Sequence, residues 1–173
     1  MHPLPIPCTH PQALKALGAR GLRAALHHGH LTPLWQDLLV PPARLSDHRT
    51  RATGALLLMG PTSALTGLTA GQAYGWTPGT DDIHVAVPTP WPGPPRPGLV
   101  IHQDTFTPHD ILLLDGLRVL PPAHVLANLL HPLPGEAAIA CVEQALRTVP
   151  PELRDDLWRE ISAHLRARGD PVA

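Results

Sequence analysis

Histidine is the residue type in this chain with the most capacity for chemistry, and three of the twelve crowd together. His27, His28 and His30 lie within LRAALHHGHLTPLW, residues 22–35. A zinc site needs three or four ligands in tetrahedral geometry, and Cys8 and His10 would have to supply the remainder. The spacing opposes this. His27 and His28 are adjacent and diverge on a helix, and Gly29 interrupts the period before His30. The competing reading is a helix C-terminus, where imidazoles face the negative end of the backbone dipole and Gly29 provides a left-handed stop. On that reading the expectation is no metal and no cofactor.

Other reactive constellations are scarce. The three serines, Ser46, Ser63 and Ser162, stand in no G-x-S-x-G context, and the single lysine, Lys15, has no acidic residue two positions before it. Asp81-Asp82 suits a divalent ion or, more simply, a solvated start of a strand. His84 and His102 are expected to face each other across neighbouring strands in a structural role. Neither cysteine sits in a nucleophile signature, and no glycine-rich phosphate loop occurs. The chain is therefore not expected to be an enzyme.

Composition narrows the class. Hydrophobic residues make up 43 % and aromatics only 3 %, so the core must be built from Leu, Val, Ile and Ala. The formal net charge of −1 excludes a strongly basic nucleic-acid binder in bulk, although a local basic face remains compatible with it. Abundant Arg and Pro against a single Lys suggest a high-GC bacterial genome. Two cysteines far apart in sequence fit a reducing compartment. No apolar run reaches the ~18 residues that span a membrane, and MHPLPIPC lacks the features of a signal peptide, so the expected location is the cytoplasm.

The elements that must position these residues can be read from punctuation and period. Thr9 or His10 caps a helix through PQALKAL that stops at Gly18. A second helix covers 20–28, with Leu22, Ala25 and Leu26 on one arc and Arg20, Arg23, Ala24, His27 and His28 on the other. Residues 31–34 and 38–40 are expected to pair as a hairpin around Gln36 and Asp37. A third helix follows Ser46 and ends at Gly60-Pro61. A fourth runs from Gly67 to Tyr74. Residues 83–87 alternate as a half-buried strand. A proline-rich connector (89–98) leads to strands at 99–103 and 111–114, and Asp115-Gly116 marks a hairpin turn. Three helices close the chain, and Ile139, Val142, Leu146, Leu153, Leu157 and Ile161 are expected to be buried by the last two.

Helix, glycine turn, helix, glycine stop and short hairpin form the outline of a winged helix-turn-helix, with the second helix as groove reader. The expected fold is α+β: a winged helix-turn-helix-like unit (1–45), then a small, mostly antiparallel sheet packed with C-terminal helices (46–173). Five ordered segments carry a resemblance: QALKALGARGLRAALHHGHL, LTGLTAGQAYGW, IHVAVP, GLVIHQ and DGLRVLPPAHVLANLL. Together, over about residues 9–148, they resemble the AbiEi-type antitoxin family, the transcriptional-repressor half of bacterial type IV toxin–antitoxin systems. The closer likeness is to a high-GC branch often fused to a very-short-patch-repair-like endonuclease domain, which is absent here. The chain departs from the family in carrying Gln36 and Asp37 at the basic wing turn, HPLPIPC in place of a preceding helix, and His124 and Val125 in place of Arg and Thr. The resemblance implies an autorepressor that binds double-stranded DNA through Arg20, Arg23, His27, His28 and His30, with a cognate toxin and a second copy of the chain as further partners. The alternative is a non-enzymatic protein-interaction module with a degenerate helix-turn-helix.

Overall fold

Thr9 opens the first helix, α1 (His10–His27). Its hydroxyl accepts the Gln12 N–H and the Gln12 side chain accepts the Thr9 N–H, a reciprocal cap, with Pro11 in the first turn where a missing N–H costs nothing. This computed structural model describes residues 4–131 and 133–168. The chain's first three residues and residues 169–173, whose sequence reads as a frayed end, lie outside the described residues.

Gly18 breaks α1 with φ 70°, in the left-handed region, so two helical segments meet at the glycine. Ala13 from the first segment and Leu22 from the second are buried with Cys8, Leu31 and Leu39. The helix ends as its sequence implies: the His28 N–H donates to the Ala24 carbonyl, the Gly29 N–H donates to the Leu26 carbonyl, and Gly29 turns the chain at φ 69°. Strands β1 (Cys8–Thr9), β2 (Thr32–Leu34) and β3 (Leu38–Val40) then form an antiparallel sheet in the order β1-β3-β2. The two-residue β1 is too short to show a period, so it is not legible in the sequence.

Helix α2 (His48–Met59) begins later than Ser46, because the Asp47 carboxylate is the cap that accepts the Thr50 N–H at 2.9 Å. Gly54 lets the hairpin lie against it: a Cβ there would come within 3.0 Å of Leu38 and 3.4 Å of Leu34. The rest of the chain is a five-stranded sheet of β4 (Ala64–Leu65), β5 (Ile83–Val87), β6 (Leu99–Gln103), β7 (Leu112–Leu114) and β8 (Leu117–Val119), with α3 (Gly67–Ala73) following β4. The strand order is β6-β5-β4-β8-β7. This sheet is mixed, which corrects the expectation of a mostly antiparallel one. β5 runs parallel to β6 and β4 parallel to β8, while β4/β5 and β7/β8 are antiparallel. The proline-rich segment carries the chain back to the start of β5 before β6 begins, as a crossover and not a hairpin.

Helices α4 (Pro122–Leu130), α5 (Gly135–Thr148) and α6 (Arg154–Arg168) close the core. Val125, Leu126 and Leu129 of α4 and Ile161 of α6 are almost fully buried, and Leu157 is buried beside them. The expected α5 stripe is off by one residue. Ile139 is 60 % exposed, Val142 and Leu146 are half-buried, and the inward line is Ala138, Cys141 and Ala145. One residue is ~100° on a helix, and the smaller side chains let α5 sit close to α4. Leu153 is also exposed, because it lies in the short turn before α6.

Candidate functional site

The second segment of α1 divides by face. Leu22 points into the core, while Arg20, Arg23, His27, His28 and the following His30 are all exposed. Arg20, Arg23 and His27 recur at three and four residues, so they share one side of the helix. Lys15 is exposed on the preceding segment. The three histidines pack as neighbours, with ring centroids 5.2 Å apart for His27–His28 and 6.1 Å for His28–His30. Cys8 is turned away from them. It is fully buried, its thiol donates to the Leu39 carbonyl at 3.6 Å, and burial pushes its pKa up. Among the described residues, no three His, Cys, Asp or Glu side chains gather as a metal-binding group.

The hairpin turn is not a free tip. Trp35 and Gln36 take positive φ (52° and 66°), and this conformation aims the turn at the proline-rich segment. The Asp37 carboxylate accepts from the Arg96 guanidinium. The Trp35 indole N–H donates to the Pro97 carbonyl at 2.8 Å. The Arg51 guanidinium lies 5.8 Å from the Trp35 ring centroid and donates to the Gly98 carbonyl at 3.0 Å. Gly98 has to be glycine, since it has φ 70° and a Cβ would strike Arg51. The acidic residue at the expected wing turn is thus neutralised by an arginine from 59 residues further along the chain.

A second cluster lies in a cleft of about 450 Å³ between the β5–β6 end of the large sheet and helices α3 and α4. His84 on β5 and His102 on β6 meet there, Nδ1 to Nε2 at 3.0 Å, with near-parallel rings. Gly67, at φ 52°, makes room for the pair, because a Cβ there would lie 3.2 Å from His84 Nδ1. Burial, reinforced by His102, lowers the His84 pKa. Asp104 Oδ2 accepts from His124 Nε2 at 2.8 Å and from Asn128 Nδ2 at 3.0 Å, and its Oδ1 accepts the Thr105 N–H at 2.8 Å. Burial alone would raise the Asp104 pKa. The hydrogen bonds from His124 and Asn128, with the His124 charge and the Thr105 N–H, outweigh it and hold the carboxyl at about 2. Leu68, Ile101, Leu129 and Leu133 line the cleft's apolar side.

Neither a protein-family model nor a curated protein matches this chain.

The sequence places His84 and His102 correctly, on adjacent strands with their rings in contact. It misses Asp104, Asn128 and His124 as their neighbours. A signal was available: Asp104 stands two residues after His102, on the same side of an extended chain, and His124 and Asn128 are one helical turn apart on α4. What the sequence does not contain is that β6 and α4 are adjacent in space. Asp81 and Asp82 are exposed at the start of β5, where the Asp81 carbonyl accepts from Arg51.

Proposed function

We propose that the chain is a DNA-binding transcriptional regulator, an antitoxin-like autorepressor of the AbiEi type, in which residues 1–45 are a winged helix-turn-helix-like reader. The observation that carries this reading is the division of α1. Two helical segments turn at Gly18, a short antiparallel hairpin follows, and the second segment buries Leu22 while exposing Arg20, Arg23 and His27 along one side. Arginine suits guanine edges and phosphates because its guanidinium offers several donors in a fixed fork. Because the hairpin turn is tied to Arg96, the helix and not the wing carries the contact. Partners in this reading are double-stranded DNA, a cognate toxin and a second copy of the chain.

The test is a fluorescence-anisotropy titration with promoter DNA from the protein's own operon. Binding is expected to be weak at about pH 7.5, stronger towards about pH 6, and steeply weaker with salt. The double variant Arg20→Ala/Arg23→Ala should lose most of the affinity and flatten the salt slope by about 2 if both contact phosphate. Its fold should be unchanged, since both side chains point away from the core. Equal binding by wild type and variant, or no binding at low salt and about pH 6, overturns the proposal.

One observation favours the alternative, a non-enzymatic protein-interaction module. Leu14 and Leu17, on the first segment of α1, are 48 % and 40 % exposed. If DNA binding fails, this apolar strip beside the arginines is the surface to mutate in a search for a protein partner.

A further inference from the structure

The cleft between the large sheet and helices α3 and α4 is independent of the DNA-reading face, and its walls are chemically one-sided. Its volume of about 450 Å³ lies in the range of small-molecule sites. One side is aliphatic: Leu68, Ile101, Leu129 and Leu133. The polar lining is Asp104, Gln103, Thr66, Asn128 and the imidazoles of His84 and His102. Neither lysine nor arginine lines it among the described residues.

Charge decides which ligand suits these walls. Asp104 is ionised throughout the neutral range, with a pKa held at about 2. His84 is disfavoured as a cation by burial and by its neighbour His102. His124 does offset Asp104 when it is charged, but it sits behind the carboxylate, 5 % exposed and away from the cleft lining. A carboxylate offers about four lone-pair sites. The His124, Asn128 and Thr105 donors occupy three, which leaves capacity for one more donor. An anion would meet the Asp104 carboxylate with neither lysine nor arginine among the described lining residues to oppose it. A donor-rich cation would find a carboxylate with a remaining lone pair and, beside it, an apolar surface for a short hydrocarbon.

We propose that this cleft is a binding site for a small primary amine: an ammonium head hydrogen-bonded to Asp104, with an aliphatic body against Leu68, Ile101, Leu129 and Leu133. The facing nitrogens of the imidazole pair, 3.0 Å apart, are taken up by their mutual hydrogen bond.

Isothermal titration calorimetry of the full chain at about pH 7.5, with pentylammonium, hexanoate and 1-pentanol as probes, tests the assignment. Pentylammonium should bind at a single site, with 1-pentanol about ten-fold weaker or worse and hexanoate undetected to ~10 mM. Asp104→Asn should abolish the preference for the amine over the alcohol. Leu68→Trp, which fills the cleft and leaves Asp104 and its partners in place, should remove binding of both. Should Asp104→Asn fail to fold by circular dichroism, the amine-to-hexanoate comparison and Leu68→Trp still decide. Equal affinity for amine and alcohol, preference for hexanoate, unchanged amine binding in Leu68→Trp, or no binding by any probe each overturns the proposal.

Discussion

Asp104 shows how a few contacts determine the behaviour of one residue. Its carboxyl is half-buried, which by itself would favour the neutral acid, yet three donors make the ion the stable form and bring the pKa to about 2. An ordinary unfolded aspartate titrates near ~3.9. A carboxyl whose folded pKa is the lower one contributes stability above the unfolded value and loses it as pH falls through the folded value. Urea unfolding of wild type should therefore weaken between about pH 4 and about pH 2. Asp104→Asn should be less stable than wild type near neutrality, and the gap should narrow across that window. A constant gap would mean that the carboxylate charge does not matter to the fold. Two half-buried histidines act in the same direction at higher pH. Burial lowers the pKa of both His48 and His84, so their contribution is present above about 6.5 and declines below it. DNA titrations at about pH 6 accordingly need a parallel check of folding. Arg118 is the other residue with an outsized structural role: its guanidinium donates to the carbonyls of Leu56, Gly60 and Ser63 and so closes the C-terminal end of α2.

At the scale of elements, the C-terminal helices illustrate the difference between a pattern and its phase. Leu157 and Ile161 of α6 pack against α4 and are 8 % and 0 % exposed. Leu157→Ala should cost roughly 2–5 kcal/mol, the range for a buried leucine. Ile139→Ala, on the outward side of α5, should cost less than ~0.5 kcal/mol. Chemical denaturation of the two variants measures both, and a cost for Ile139→Ala comparable to that of Leu157→Ala would contradict the observed phase of α5. Helix α1 was more legible than α5. Its cap, its proline and its two glycines are local signals, and each acts through backbone geometry that needs no distant partner. On α5 both candidate stripes are apolar, and their phase depends on which one α4 can approach.

Over the whole molecule, the notable link is between the hairpin and the proline-rich segment. The Asp37–Arg96 pair, the Trp35 indole on Pro97 and the Arg51 guanidinium over Trp35 join the N-terminal hairpin to the large sheet. Asp37 is half exposed, so the ion pair contributes little to stability, about 0–1 kcal/mol, but it restrains the turn. Arg96→Ala should leave the melting temperature almost unchanged and speed amide hydrogen exchange in residues 34–38, with α4 unaffected. Unchanged exchange in the hairpin would mean that Trp35 alone holds it. The same link explains the acidic turn. An aspartate at that position is unfavourable against phosphate, and here it serves as the acceptor for an arginine of this chain.

The sequence by itself determined what is local. The capping of α1, its break at Gly18, its stop at Gly29, the exposed Arg20–Arg23–His27 side, the alternation of β5 and the Asp115-Gly116 turn all follow from φ preferences and from periods of two and 3.6. It also determined that the core would be aliphatic. Tertiary structure alone decided what depends on pairing across sequence distance. The mixed order of the large sheet is one case, because strands as short as β4 carry no periodic signal and parallel pairing is set by crossovers. The phase of α5 is another, since two neighbouring apolar stripes differ only in what they meet. The cleft is the third: His84, His102, Asp104 and Asn128 come from two strands and a helix, and a carboxylate's charge state follows from donors that only the folded chain brings within 3 Å or so of it.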